Sequence, residues 1–93
     1  MTNQRTFATE RLQLAIFLHA DGRLSFRNCG RIGHSKVCFV FDDPKHIGDS
    51  LELEFENGAK VSATSLFASQ KYLRRQMSVA LENRRTREYA RNP

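Results

Sequence analysis

The residues best placed for chemistry lie in the run Cys29-Gly30-Arg31-Ile32-Gly33-His34-Ser35-Lys36-Val37-Cys38, which sets two thiols and an imidazole within ten positions. A nucleic-acid-binding zinc knuckle uses Cys-x2-Cys-x4-His-x4-Cys, because tetrahedral structural zinc takes four protein ligands. Cys29 and His34 keep the central x4 spacing and both glycines. However, Phe26 stands where the first cysteine belongs, and Cys38 follows His34 by x3. Three ligands do not close the site, and His46, which could complete it, lies beyond an apolar run that reads as a strand. The simpler reading is a loop followed by a strand, with Cys38 as a small core hydrophobe. No metal and no cofactor are expected.

Two other arrangements invite chemistry. Arg27-Asn28-Cys29-Gly30-Arg31 carries an Arg-x3-Arg pair like that of cyclic-dinucleotide-binding PilZ domains, and Ile47-Gly48-Asp49-Ser50-Leu51-Glu52-Leu53 resembles a later strand of that barrel. The companion Asp/Asn-x-Ser-x-x-Gly motif is absent, and an apolar helix near 10–21 suits that barrel poorly. Cys29 with His34 could serve as nucleophile and base, but no orienting third group or oxyanion hole accompanies them. His19 shares a helical face with Leu12 and Ile16 and reads as a core-edge histidine, while His34 and His46 fall in a loop and at a helix start. A phosphate-cradling Gly-x4-Gly-Lys-Ser/Thr motif is missing. The carboxylates between 49 and 56 alternate with apolar residues, as on a solvated face. The chain is expected not to be an enzyme, and no small-molecule ligand is evident.

Charge layout says more. Residues 1–41 sum to +4, residues 42–56 to −5, Lys60 adds +1, and residues 71–93 sum to +5. The first seventy residues are therefore neutral, and the net charge of +5 resides in the C-terminal segment. Lys71, Arg74, Arg75, Arg84, Arg85, Arg87 and Arg91 are candidate phosphate contacts, able to bind nucleic acid by counterion release without reading bases. Only Tyr72 and Tyr89 accompany them as aromatics, so base stacking on single strands is not favoured. The same cations could instead keep a small protein soluble, complement a helix C-terminus, or meet the acidic segment within one chain or across a dimer.

These residues need a scaffold of one domain's size: 93 residues with a hydrophobic fraction of 40%. The expected fold is α+β, a small single domain with an antiparallel sheet of two to four strands packed with two or three helices, one of them a long C-terminal helix. Arg5 to Thr9 reads as an extended lead-in. Thr9 as N-cap, Glu10 in the first turn and Gly22 as stop predict a helix over 10–21. Its apolar residues surround most of its circumference, so it is central or covered by a partner. Strands follow near 23–28 and 36–42, joined by a turn from Asn28 to His34. The second is apolar on both faces and is expected to be central.

The segment 44–61 stays open between two readings. Asp43 before Pro44 suits a helix start, and Ile47, Leu51 and Phe55 share a helical face. Against that, Leu51-Glu52-Leu53-Glu54-Phe55-Glu56 alternates as a strand does, and Asn57-Gly58 is a hairpin signal. Ser62 can cap a final helix from about Ala63, whose inward stripe is Leu66, Gln70, Leu73, Met77, Ala80 and Leu81. Continuing the stripe places Arg84 and Glu88 at inward positions. The compact domain is therefore expected over 1–82, with a charged, fraying extension over 83–93. Ala68, Tyr72 and Val79 form a second apolar strip on the opposite side, a candidate self-association surface.

Thr6-Phe7-Ala8-Thr9-Glu10 running into Leu12-Gln13-Leu14-Ala15-Ile16-Phe17-Leu18, then Phe39-Val40-Phe41-Asp42-Asp43-Pro44, Phe55-Glu56-Asn57-Gly58, and Leu66-Phe67-Ala68-Ser69-Gln70-Lys71-Tyr72-Leu73-Arg74-Arg75-Gln76-Met77 together resemble a family of short bacterial and phage proteins classed as a domain of unknown function. The resemblance covers about residues 6–78 in order. It implies a shared fold and tips 44–57 towards helix; it carries over no activity and no site residues.

The longest strongly apolar stretch, Leu14 to Leu18, is far too short for a membrane span of roughly 20 residues. The polar N-terminus shows no signal-peptide pattern. The expected compartment is cytoplasmic, with Cys29 and Cys38 as reduced thiols. The function expected on these grounds is a non-enzymatic binding module that mediates protein interaction or self-association. The alternative is sequence-nonspecific nucleic-acid binding through the basic C-terminal helix. The partner is then an unknown protein or the chain itself, or nucleic acid, and no membrane.

Overall fold

The structure, a computed structural model, describes residues 5–91, with side chains described as far as Glu82. Three antiparallel strands and three helices follow in the order β1 (Thr6–Thr9), α1 (Leu12–Asp21), β2 (Ser25–Arg31), β3 (Val37–Asp42), α2 (Gly48–Glu56) and α3 (Ala63–Arg91). The α+β class, the small sheet and the long C-terminal helix are as the sequence predicts.

The sheet order is β1-β3-β2. The doubly apolar strand β3 is thus central, with Phe7 opposite Phe41 on one side and Phe26 opposite Phe41 on the other. Val37, Phe39 and Phe41 are buried on its inward face, where α1 and α3 cover the sheet. The extended lead-in is therefore a true edge strand. The predicted turn from Asn28 is shorter than expected, because β2 runs on to Arg31 through an irregularity between Phe26 and Asn28. A bulge adds one residue to the strand and re-phases its alternation. As a result Phe26 and Cys29, three positions apart, both pack against the core.

Helix α1 begins two residues later than predicted. Thr9 belongs to β1, its hydroxyl accepts the Arg11 backbone N–H at 3.0 Å, and Arg11 occupies the N-cap without a capping side-chain hydrogen bond. The predicted stop at Gly22 is correct: it adopts the left-handed conformation at φ 86° and donates its N–H to the Leu18 carbonyl. Residues Leu14 to Leu18 are all buried. The helix apolar nearly all round is the centre of the domain, touching α2, α3 and β1.

The segment left open resolves as helix α2, starting later than Asp43-Pro44 suggested. The Asp43 carboxylate instead accepts the backbone N–H groups of Ile47 and Gly48, each at 2.8 Å, across a turn whose His46 has φ 60°. Gly48 is required by space: a Cβ there would lie 2.3 Å from the Phe7 ring. Asn57-Gly58 closes the helix and makes no hairpin. Gly58 at φ 86° donates to the Phe55 carbonyl, and Ala59 to that of Glu54, the paired bonds of a Schellman end. Helical periodicity buries Leu51 and half-buries Ile47 and Phe55, and it leaves Leu53, which a strand would have placed beside them, in solvent.

Ser62 caps α3 as predicted, its hydroxyl accepting the Ser65 N–H at 3.0 Å. Leu73 is fully buried, with Leu66, Met77, Ala80 and Leu81 packed against the core around it. The backbone is helical to Arg91.

Candidate interaction surface

The thiols and imidazole that opened the sequence reading do not converge. Cys29 pairs in register with the inward Phe39, and Cys38 with Gly30, so the two cysteines project from opposite faces of the sheet. The thiol packed against the core is therefore Cys29 and not Cys38, a correction that follows from the β2 irregularity. Burial, and then the neighbouring Cys38, push the Cys29 thiol above its ordinary value, which leaves it a poor nucleophile. Among the described residues no three His, Cys, Asp or Glu side chains come close enough to hold a metal ion. Arg27 pairs with Asp42 at 2.9 Å, and Arg31 donates to the carbonyls of Gly33 and His34, so both arginines brace β2 and its turn.

One pairing of nucleophile and base types does occur. His19 Nδ1 and Ser69 Oγ share a hydrogen bond of 2.7 Å, with Tyr72 stacked on the imidazole at 4.9 Å. Ser69 is only 4% exposed. Burial pushes the His19 imidazole below its ordinary value. The pair joins α1 to α3, as the core-edge reading of His19 implies.

Among the described residues no ion pair joins the acidic segment to the basic helix. Of its six carboxylates, Glu52 and Glu56 share Arg11 at 3.2 and 2.9 Å, Glu54 takes Arg23 at 2.8 Å, and Asp42 takes Arg27. Arg23 also holds Asp21, lowering its carboxyl below the ordinary value through the shared hydrogen bonds. Arginines of the N-terminal half thus pair with four of the six carboxylates of the acidic segment. Lys71, Arg74 and Arg75 take no ion-pair partner among the described residues and lie exposed on α3. Arg84, Arg85, Arg87 and Arg91 lie on the last part of α3, where side chains fall outside the described residues.

The strip Ala68, Tyr72 and Val79 lies exposed on α3. Ala68 and Val79 are exposed, but the Tyr72 ring turns onto His19 and meets Phe26 edge-on at 5.7 Å, remaining 41% exposed. The larger feature lies on the other flank of α3. Leu12, Ile16, Phe55, Val61 and Leu66 line a groove of about 360 Å3 between α1, the segment after α2, and α3. Phe67 stands on its rim, 70% exposed, and Gln13, Gln70 and Arg74 add polar groups. Sequence reasoning missed this site. Its one trace in the sequence is Phe67, a large aromatic that falls off the inward stripe 66-70-73-77.

No family model, no curated protein and no solved structure matches this chain. Among the described residues no helix is long and apolar enough to cross a membrane.

Proposed function

We propose that the protein is a non-enzymatic binding module that acts through protein contacts, with the groove between α1 and α3 as its receiving surface. The observation that carries this reading is Phe67, which leaves 70% of its surface in water beside an otherwise apolar concavity. Exposed apolar patches rimmed by polar groups are the mark of protein-binding sites. Gln13, Gln70 and Arg74 supply such a rim. A photo-crosslinking side chain placed at Gln70 is expected to yield protein adducts in the producing cell, while one at Ser35, on the β2–β3 turn, yields none. Equal adducts at both positions, or none at either, would remove the reading.

A second reading is supported by Lys71, Arg74 and Arg75, which take no ion-pair partner among the described residues and suit phosphate as well as carboxylate. If nucleic acid is the partner, log affinity for duplex DNA falls with log salt, with a slope of about 0.9 per phosphate contact. It does so equally on unrelated sequences. No detectable binding near physiological salt excludes it.

A further inference from the structure

Helices α2 and α3 carry complementary surfaces that stay unused within one chain, and we propose that a second copy of the chain occupies the groove. The outward face of α2 from one copy docks against the groove and outward face of α3 in the next. This inference rests on the reading of the groove as a protein-binding surface. The donor face centres on Leu53, 60% exposed. Successive helical residues turn by about 100°, so Leu53 points nearly opposite Leu51 and cannot reach the core of its own chain. Asp49 lies one turn before it and Glu56 one turn after, and Glu52 is adjacent. Arg11 is a single guanidinium serving both Glu52 and Glu56, and Asp49 has no ion-pair partner among the described residues. The face is therefore acidic around one apolar knob.

The receiving face has the opposite character. Phe67, Lys71 and Arg74 follow at i, i+4 and i+7 along one side of α3, with the groove beside them. Leu53 supplies what the groove lacks, and the carboxylates supply what Lys71 and Arg74 lack. The two faces are different patches of one molecule, so the contact is heterologous and can repeat or close on itself. A nine-residue helix is a small contact, which makes the assembly weak, concentration-dependent and weakened by salt.

Sedimentation velocity over a concentration series tests this, using the full chain, Leu53→Lys, Phe67→Glu, and an equal mixture of the two variants. Both positions are exposed, so their thermal melts should match that of the intact chain and show that the fold is kept. The intact chain is expected to associate as concentration rises, and less so at high salt. Each variant alone loses one of the two faces and associates at least about tenfold more weakly. Mixing them restores association, because the Leu53→Lys chain keeps its α3 face and the Phe67→Glu chain keeps its α2 face. A strict monomer throughout, variants that associate like the intact chain, or a mixture that stays monomeric would each overturn the inference. A monomer that still gives adducts to another protein at Gln70 leaves the binding-module reading standing and removes only the second copy. Association that requires added DNA also removes it.

Discussion

In α1 five consecutive residues, Leu14 to Leu18, are buried, so the helix is enclosed on most sides; in α3, among residues 63–82, only Ser69 and Leu73 are. The two helices pack against each other, yet one is interior and the other is mainly surface. Burial of α1 from all directions needs apolar residues at every angle, and the sequence supplies them. The surface residues of α3 are under no such demand, so a phenylalanine and a run of cations there are free to be arranged for something other than packing. That contrast is the basis for placing the interaction surface on α3.

Substitutions should separate the two regions. The largest effect is expected for Phe39→Ala, in the central strand, which empties a fully buried site and should cost about 3–5 kcal/mol in chemical denaturation. Leu73→Ala, at the one fully buried apolar position of α3 among the described residues, should cost about 2–5 kcal/mol. If Leu73→Ala proved nearly silent, α3 would be a loosely attached appendage and the contrast would need redrawing. Gly48→Ala forces a methyl against the Phe7 ring and the Asp43 carboxylate and should cost about 1–3 kcal/mol. Ser62→Ala removes the α3 cap and should cost about 0.5–2 kcal/mol.

A pH profile probes the seam between the helices. The folded His19 pKa lies below the ordinary 6.5, so the unfolded chain binds the proton more readily than the folded one. Its contribution to stability is therefore complete above pH 6.5 and is lost as pH falls below that value towards the lowered one. Denaturant midpoints should drop over that acidic window, and the drop should shrink in His19→Gln. An unchanged profile in that variant would place the acid sensitivity elsewhere. The smallest effect on stability is expected for Phe67→Glu, within about 0.5 kcal/mol, because the side chain is already in water.

Much of this fold can be read from the residues, and the misreadings have physical causes. The central place of β3 follows from its apolar faces, the end of α1 from Gly22, and the start of α3 from Ser62. The segment around Leu51 was legible only as a pair of options. Alternation and helical spacing coincide at Leu51 and Phe55, and a positive-φ glycine serves a hairpin and a helix end equally well. What decided it was tertiary: a helix buries Leu51 against α1 and frees Leu53. The irregularity in β2 left no mark in the sequence, so the cysteine facing the core could not be chosen from alternation. Beyond the outward Phe67, the groove was illegible for a related reason. Leu12, Phe55, Val61 and Leu66 come from separate elements, and no local pattern brings them together. That Lys71, Arg74 and Arg75 take no ion-pair partner among the described residues is likewise a tertiary fact, since which carboxylates Arg11, Arg23 and Arg27 reach is set by the fold.

Hydrogen exchange of the intact chain at low and high protein concentration tests the central claim most directly, because it reports every segment at once. If the outward faces of α2 and α3 meet between copies, amide protection over residues 49–56 and 66–75 should rise together as concentration increases. Protection in β3, already set by the core of each chain, should stay constant. Protection that is independent of concentration everywhere, or that rises only on the strands, would contradict the account.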